Sequence, residues 1–496
     1  MKQVFNPYLP SFEYIPDGEP YVFDGRVYVY GSHDCFGVES FCVNDYVTWS
    51  APVDDLTDWR YEGVIFRREQ DPLNKEGKYP LFAPDVEKGK DGKYYLFYAP
   101  AGTRSIGVAV CDTPCGQFEF VGHVTHENGK LAGQSPDDGR AFDPAAFIDD
   151  DGKIYVYYGF SPFYQPKYLA PDERFLKGPF VAELDEDMHS LKGEAKFIEI
   201  TGIPDEIRDG LPPFGAPLDD GKPVLAHEFF EASSMRKING KYYFIYSSRN
   251  SHELCYAIGD SPLGPFAYGG VLHSNCDVGL VKNDDRTNDC GNNHGSLVCI
   301  KGQWYVFGHR QTNYTMYARQ GVAEPVTIAE DGSIAQAEMT SCGLNGGPLC
   351  EKGEYPAYIA CGLKSAGGAR FIPLATTGEE ADALRDRRPA LTQDGKDREC
   401  DPDQHIANLY FGDAATFKYF DFDKAATFSV VTRGAKGKFV IRHAADGKVI
   451  GEVAFAASES WTASEKAAFA PEKGKQALVL TYEGEGPCDL ASFTME

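Results

Sequence analysis

Five ionisable side chains recur at one position of a repeated sequence pattern. Each stands seven to nine residues before a glycine that closes a tight turn, and they are Asp17, Asp85, Asp143, Glu231 and His294. Carboxylates held close together repel and raise one another's pKa, so a cluster of them indicates a function. Two chemistries use such a cluster: a cation cage of oxygen ligands, and glycoside hydrolysis by a general acid and a general base. The aromatic residues that flank the repeats favour a sugar ligand.

The elements that would position these side chains are five similar hairpins. In each, a turn ending in glycine precedes a strand dense in aromatic and β-branched residues, which favour strands. Four of the five turns are Asp-Gly or Asn-Gly, and these dipeptides predict type I′ turns with positive φ at both central residues. The hairpins occupy residues 23–31, 90–98, 150–158, 238–246 and 300–308.

The spacing of the hairpins predicts an all-β propeller. Successive turn glycines are 60 to 88 residues apart, which is enough for a four-stranded sheet with its loops. Five such units predict a five-bladed β-propeller over residues 1–325. The innermost strands of a propeller surround its channel, so the five ionisable residues are expected to meet at one mouth of that channel.

The pattern stops after Gly308, and the composition then changes. Short alternating strands are predicted at residues 417–422, 427–432, 438–442 and 477–482. Strands of this kind with polar turns are typical of a β-sandwich, and we predict one over residues 345–496.

Composition and charge exclude several kinds of partner. The 496 residues carry a net charge of −26, which disfavours nucleic acid and anionic membrane surfaces. No apolar run is long enough to span a membrane, and the first seven residues have no apolar signal segment.

With 13 cysteines, an odd number, we expect reduced thiols and a cytoplasmic protein. Cys111 and Cys115 do not match a zinc-binding spacing and are interpreted as small apolar residues.

Four short motifs resemble those of glycoside hydrolase family 43. They are Ala-Pro-Asp-Val at 83–86, Phe-Asp-Pro at 142–144, Asp-Asp-Asp-Gly at 149–152 and Asn-His-Gly-Ser at 293–296. The resemblance covers about residues 5–320. It implies a five-bladed propeller enzyme that trims xylan and arabinan side chains with inversion of configuration.

The resemblance also implies a role for each of three acids. Asp17 resembles the general base that activates water, and Glu231 resembles the general acid that protonates the leaving oxygen. Asp143 resembles the third acid, whose charge would hold the pKa of Glu231 up. Two alternatives stay open, because a match to the family's proline selects Glu19 as the base and Glu228 lies close to Glu231.

Further residues are expected near the substrate. Phe82 stands where the family often has tryptophan and would form part of an apolar wall. Asp34, Asp85 and Arg310 are candidates for sugar contacts, although Arg310 could equally be a solvated loop cation. His294 resembles a channel histidine that faces calcium through water in some members, or it forms a hydrogen bond inside the channel.

The expected function is that of an inverting exo-glycosidase. It would release terminal β-D-xylose or α-L-arabinofuranose from oligosaccharides, without an organic cofactor and with calcium as a candidate ion. The C-terminal domain resembles a family 6 carbohydrate-binding module, on Ala-Asn-Leu at 407–409 and the aromatic run at 417–422. The alternatives are an endo-arabinanase, a galactan-directed hydrolase and a sugar-binding propeller without catalysis.

Overall fold

The computed structural model describes residues 2–134, 137–161, 178–206, 225–370, 387–397 and 404–496. Within these ranges the chain is built from β-strands, with four 3-10 helices of three residues each at Arg68–Gln70, Asn283–Asp285, Gly343–Asn345 and Ala357–Ile359. No helix in the described ranges is long and apolar enough to cross a membrane. The prediction of an all-β protein is confirmed.

The first two sheets are four-stranded, and neighbouring strands follow one another along the chain. Sheet 1 contains β1 (Glu19–Phe23), β2 (Arg26–Tyr30), β3 (Tyr46–Pro52) and β4 (Arg60–Phe66). Sheet 2 contains β5 (Leu81–Lys88), β6 (Tyr94–Pro100), β7 (Gly107–Cys111) and β8 (Glu119–His123).

Three more sheets follow in the same manner. Sheet 3 contains β9 (Ala145–Ile148), β10 (Ile154–Tyr158), β11 (Phe180–Leu184) and β12 (Lys196–Phe197). Sheet 4 contains β13 (Ile200–Thr201), β14 (Phe229–Ile238), β15 (Lys241–Ser248), β16 (Glu253–Gly259) and β17 (Phe266–Ser274), with β13 parallel to β17. Sheet 5 contains β18 (Leu297–Ile300), β19 (Gln303–Thr312) and β20 (Thr315–Val326).

The five predicted hairpins are the first two long strands of these five sheets, and their inner strands are neighbours. Strand β1 contacts β5 and β18, and β9 contacts β5 and β14. Strand β14 reaches β18 through the Arg236 guanidinium, which donates to the Leu297 carbonyl at 2.9 Å. The inner strands therefore contact one another in a closed order.

The hairpin turns divide into two kinds. All five turn glycines have positive φ, but the preceding residue has positive φ only at Asp24, Asn239 and Lys301. These three turns match the predicted type I′ geometry, and the third lacks the Asn or Asp that signals it. At Asp91 and Asp151 the type I′ prediction is wrong, because each side chain instead accepts the amide of the residue two positions on.

Two sheets form the C-terminal part. One contains β21 (Leu349–Cys350), β23 (Gly362–Lys364), β26 (Ala414–Phe422), β28 (Gly437–His443), β29 (Val449–Phe455) and β32 (Gly474–Gly484). The other contains β22 (Gly353–Pro356), β24 (Ala390–Thr392), β25 (His405–Leu409), β27 (Thr427–Gly434), β30 (Ser458–Ala463), β31 (Ala467–Ala468) and β33 (Cys488–Met495). The four strands predicted here are confirmed.

The C-terminal sheets enclose a single apolar core. Phe417, Phe420 and Phe422 alternate inward on β26 and are fully buried, where they pack with Phe428 and Phe493. The aromatic run that resembles a carbohydrate-binding module therefore serves packing. The cysteines in the described ranges are free thiols, as expected from the sequence.

Candidate active site

A cavity of about 380 Å³ opens where the inner strands of the five sheets converge. Its lining includes four of the five ionisable residues of the repeat: Asp17, Asp143, Glu231 and His294. The volume lies in the range of small-molecule pockets. The sequence pattern thus placed three carboxyl groups and one imidazole correctly at a common site.

Strained or irregular backbone points the acids into this cavity. Asp17 and Asp143 have φ values of 58° and 44°, and Ala232, next to Glu231, has φ of 69°. The pairing of β14 with β15 shifts register on both sides of Glu231, as in a β-bulge. Non-glycine residues rarely adopt positive φ, and bulges re-aim side chains next to active sites. These irregularities lie at residues that line the cavity or stand next to one that does.

Asp17 is held in its ionised form. The Arg319 guanidinium donates to Asp17 Oδ1 at 3.0 Å, and the Asp17 amide donates to His309 Nδ1 at 3.3 Å. Burial alone would raise the pKa of Asp17, but the opposing interactions, of which the charge of Arg319 is the largest, together outweigh burial and the pKa is lowered. A buried carboxylate that stays ionised can accept a proton from water.

Glu231 and Asp143 are held in the opposite state. Burial and then the charge of Asp17 raise the pKa of Glu231 to about 8. Burial and then the charges of Glu231 and Asp17 raise the pKa of Asp143 well above its usual value. The sequence predicts that a charge on Asp143 raises the pKa of Glu231. In the structure, burial and the charge of Asp17 raise it instead. The raised pKa values favour the protonated form of both carboxyl groups.

Arg319 is a residue of the site that the sequence reasoning missed. It lies fully buried on β20, where its Nε and Nη2 donate to the two carboxylate oxygens of Asp34 at 2.8 and 3.0 Å. Asp34, expected to contact sugar, is instead the buried partner of Arg319 and does not line the cavity. A signal existed: an arginine within an apolar strand needs a buried carboxylate. Strand β20 follows the last hairpin, which ends at Gly308, so the repeated pattern gives no signal for it.

Phe82 is the first of four phenylalanine side chains that form an aromatic wall. The sequence predicts only Phe82 as part of it. Its rings follow one another at centroid distances of 5.1, 4.9 and 5.4 Å in the order Phe82, Phe142, Phe160 and Phe230. All four line the cavity, and Arg140 lies 5.0 Å above the Phe160 ring. Such a wall offers an apolar surface of tilted rings beside the three acids.

Two expected sugar contacts lie away from the cavity. Asp85 is fully buried and accepts the Tyr21 hydroxyl at 2.7 Å and the Ala146 amide at 2.8 Å, so it ties sheets 1, 2 and 3 together. Arg310 is buried on β19 and donates to Gln320 Oε1 at 2.9 Å and to the Ala360 carbonyl at 3.1 Å. Arg310 is therefore neither a cavity residue nor a solvated loop cation, and it joins sheet 5 to the C-terminal domain.

The alternative acids also lie outside the lining. Glu19 pairs with Arg236 at 2.6 Å below the cavity, and Glu228 pairs with Arg249 at 3.2 Å. The cavity is lined instead by Asp17 and Glu231, the residues that hairpin spacing selects.

His294 lies between the cavity and a buried polar cluster. Its Nδ1 is 3.7 Å from Asp143 Oδ2, and its Nε2 is 4.0 Å from Glu19 Oε1. Among the described residues, neither Nε2 nor Glu19 Oε1 has a hydrogen-bond partner. Burial lowers the pKa of His294 to about 4, so the ring is neutral and can offer a lone pair. Two groups of possible metal ligands occur in the described ranges, and neither contains His294.

Comparison with known proteins places the chain in a family. The model of glycosyl hydrolases family 43 matches residues 24–334, and that of carbohydrate binding module family 6 matches residues 386–496. The chain is similar to a xylosidase/arabinosidase of Thermoclostridium stercorarium, with 45% identity over 100% of this chain and 99% of that protein. It is 35% identical to a beta-xylosidase of Xylanibacter ruminicola over 61% of this chain and 89% of that protein.

Solved structures agree with these matches. A family 43 arabinoxylan arabinofuranohydrolase from Bacillus subtilis, in complex with cellotetraose, has a TM-score of 0.51 at 22% identity and covers 99% of this chain and 97% of that chain. It shows the fold alone. A family 43 enzyme from Xanthomonas citri complexed with xylose has a TM-score of 0.50 at 26% identity and covers 66% of this chain and 91% of that chain. The protein belongs to glycosyl hydrolases family 43 and is a glycoside hydrolase.

Proposed function

We propose that the protein is an inverting exo-glycosidase that releases terminal β-D-xylose or α-L-arabinofuranose from xylo- or arabino-oligosaccharides. Asp17 takes a proton from a water molecule, whose oxygen attacks the anomeric carbon. Glu231 gives its proton to the glycosidic oxygen as the bond to the anomeric carbon breaks. The products are a sugar of inverted configuration and a free leaving group. Asp17 then releases its proton to solvent, and Glu231 takes up a new proton from solvent.

The observation that carries this proposal is the opposite protonation of two acids in one cavity. The pKa of Asp17 is lowered and that of Glu231 is raised to about 8, so a base and an acid coexist at neutral pH. Acid–base pairs whose environments push their pKa values apart are typical of glycosidases. A binding protein without catalysis has no need of this division.

The five sheets support a five-bladed propeller as the frame of this site. Their inner strands follow one another in a closed order, and each brings one repeat position toward the cavity or the channel beneath it. In such a frame we infer that the acids of sheets 1, 3 and 4 would stand on different sides of one sugar. Inversion needs this separation, about 6.5–9.5 Å between the carboxyl groups, because a water molecule enters between them.

The substrate class rests on the relatives and on the wall. The two protein relatives named above are a xylosidase/arabinosidase and a beta-xylosidase, and the Xanthomonas citri structure holds xylose. The aromatic wall suits the apolar face of a pentose. Xylopyranose lacks the exocyclic hydroxymethyl group of hexopyranoses and so fits a cavity lined by four phenylalanine side chains.

A panel of nitrophenyl glycosides tests the proposal. We expect release from the β-D-xyloside and the α-L-arabinofuranoside, little release from the β-D-galactoside, and loss of release in Asp17→Ala. Proton NMR of the first product would show the inverted anomer. Retention of configuration, or activity confined to polymeric arabinan, would overturn the proposal.

We propose that a calcium ion in the channel would bind Glu19 Oε1 and would face His294 Nε2 through a water molecule. Both atoms are buried and without partners in the described structure, and they lie 4.0 Å apart. Water would complete the six to eight ligands that calcium takes. When bound, the ion supplies positive charge below the cavity, and no reaction step above passes through it.

Chelation tests this site without an activity assay. We expect a chelator to lower the thermal unfolding temperature and calcium, but not magnesium, to restore it, because only the native state holds the ion. In His294→Ala the chelator should have a smaller effect. An unfolding temperature that ignores both chelator and calcium in the wild type would contradict the proposal.

A further inference from the structure

The segment between β2 and β3 carries part of the cavity wall. Residues 35–44 contain neither helix nor strand, and Phe41 and Cys42 of this segment line the cavity. A segment without a hydrogen-bonded ladder keeps its place through individual contacts. The position of this wall therefore depends on what holds the segment from either side.

On the cavity side, the segment joins the network of the proposed base. The Cys42 amide donates to Asp34 Oδ1 at 3.0 Å, and Arg319 Nη2 contacts Cys42 Sγ at 3.4 Å. The Arg319 guanidinium also lies 4.9 Å over the Phe41 ring. Since Arg319 binds Asp17 as well, a displacement of this segment would be felt at Asp17.

On the other side, the segment is held by a carboxylate of the C-terminal domain. Asp397 Oδ1 accepts the Phe36 amide at 2.7 Å, and Asp397 Oδ2 accepts Asn44 Nδ2 at 3.3 Å. Asn44 Nδ2 also donates to the Asp34 carbonyl at 2.9 Å. One carboxylate, more than 350 residues away in sequence, thus fastens both ends of the segment.

A second contact reinforces the first. The Tyr14 ring stacks on Phe36 at 5.5 Å, and its hydroxyl donates to Gln393 Oε1 at 2.5 Å. Gln393 in turn donates to the Lys396 carbonyl at 2.9 Å, next to Asp397. The turn at 393–397 is therefore fastened to the segment by hydrogen bonds from Asp397 and, through Tyr14, by a hydrogen bond to Gln393.

We propose that Asp397 is a positioning residue of the active site: it anchors residues 35–44 so that Phe41, Cys42 and Arg319 keep their places beside Asp17. This rests on the proposed function for Asp17. The C-terminal domain is then part of the frame of the active site, in addition to any sugar it binds. Charge-assisted hydrogen bonds from a carboxylate to amides suit this task, because they are short and directional.

The test is Asp397→Ala, measured by kcat and KM on a nitrophenyl pentoside and by hydrogen exchange. We expect kcat/KM to fall about tenfold at neutral pH, in line with the loss of hydrogen bonds to a charged group. We expect the loss to appear mainly in kcat, because Arg319 and Asp17 would lose their alignment with the substrate. Amide exchange in peptides covering 35–44 should become faster.

The matched control is Asp394→Ala, three residues away. Asp394 lies exposed in the same turn and pairs with Arg433 inside the C-terminal domain, so its loss changes the charge equally but frees no part of the segment. Asp397→Asn keeps one oxygen for the Phe36 amide and should show an intermediate loss. It also serves if the alanine variant does not fold.

Three outcomes would overturn the proposal. They are an unchanged kcat/KM in Asp397→Ala, an equal loss in Asp394→Ala, and a fall in kcat/KM with unchanged exchange at 35–44. A wild-type protein inactive on every pentoside would refute the proposed function instead. The exchange experiment would still report whether Asp397 holds the segment.

Discussion

The Glu231 carboxyl group carries the most direct test of the proposed mechanism at the scale of single residues. In Glu231→Gln the side chain keeps its size but cannot give a proton. General acid catalysis contributes roughly 10²–10⁴-fold, so we expect kcat on xylobiose to fall by about that factor with little change in KM. Loss should be smaller on a dinitrophenyl xyloside, whose leaving group needs less protonation.

Glu228→Gln is the control for that experiment. Glu228 lies three residues earlier, pairs with Arg249 and does not line the cavity, so we expect nearly normal kcat. If Glu228→Gln lost turnover and Glu231→Gln kept it, the assignment of the general acid would be reversed.

The pH profile of kcat/KM follows from the directions of two pKa values. Asp17 must be ionised, so activity is lost only as pH falls through its lowered pKa. Glu231 must be protonated, so activity is lost as pH rises through about 8. In Arg319→Lys the cation can no longer span Asp17 and Asp34. The acidic limb should then rise by about one pH unit, because an adjacent opposite charge moves a carboxyl pKa by about 1–3. An unmoved acidic limb would show that another group sets it.

At the scale of elements, the approach of β18 to β19 depends on a glycine beside His294. A Cβ on Gly295 would lie 2.0 Å from the Phe307 carbonyl oxygen, so the two strands would have to separate. We expect Gly295→Ala to lower the free energy of unfolding by about 1–3 kcal/mol, the usual cost of overpacking. It should also lower kcat, because His294 and the cavity floor move with the strand. Denaturant unfolding measures the first effect.

Gly347→Ala is the matched control for this prediction. Gly347 has no positive φ and no atom within 4 Å of an added Cβ, so its replacement should leave stability nearly unchanged. Equal stability of Gly295→Ala and the wild type would mean that β18 shifts without cost.

The same scale shows why the sequence predicted some elements and not others. Hairpins with a glycine turn and an aromatic strand are local signals, and they located the inner strands with Asp17, Asp143 and Glu231. Strand β20 has no such turn, and Arg319 on it acts through Asp34, 285 residues away. Arg310 was assigned wrongly for the same reason, since its partners lie on β20 and in the C-terminal domain. Long-range pairing leaves little trace in local pattern.

At the scale of the whole molecule, buried ion pairs join the sheets around the cavity to the C-terminal sheets. Lys418 Nζ, on β26, lies 3.2 Å from Asp277 Oδ2 and 2.9 Å from Glu338 Oε1. Arg388 likewise binds Asp289. Burial raises the pKa of Asp277 even though Lys418 opposes the shift. The carboxylate of Asp277 thus depends on a cation from the other domain, and the two parts should unfold together.

Lys418→Met tests that dependence. The variant leaves Asp277 buried without its cation, and breaking a buried pair in this way costs roughly 3–5 kcal/mol, less here because Lys418 is partly accessible. We expect calorimetry to show a single transition for the wild type and a transition several degrees lower for the variant. Lys424→Met removes an exposed lysine of the same domain and should leave the transition in place. If Lys418→Met and Lys424→Met had the same transition temperature, the contact between Lys418 and Asp277 would not stabilise the protein. The C-terminal sheets would then not help to support the active site through this contact. A lowered transition means that the C-terminal domain stabilises the frame to which Asp397 is fastened.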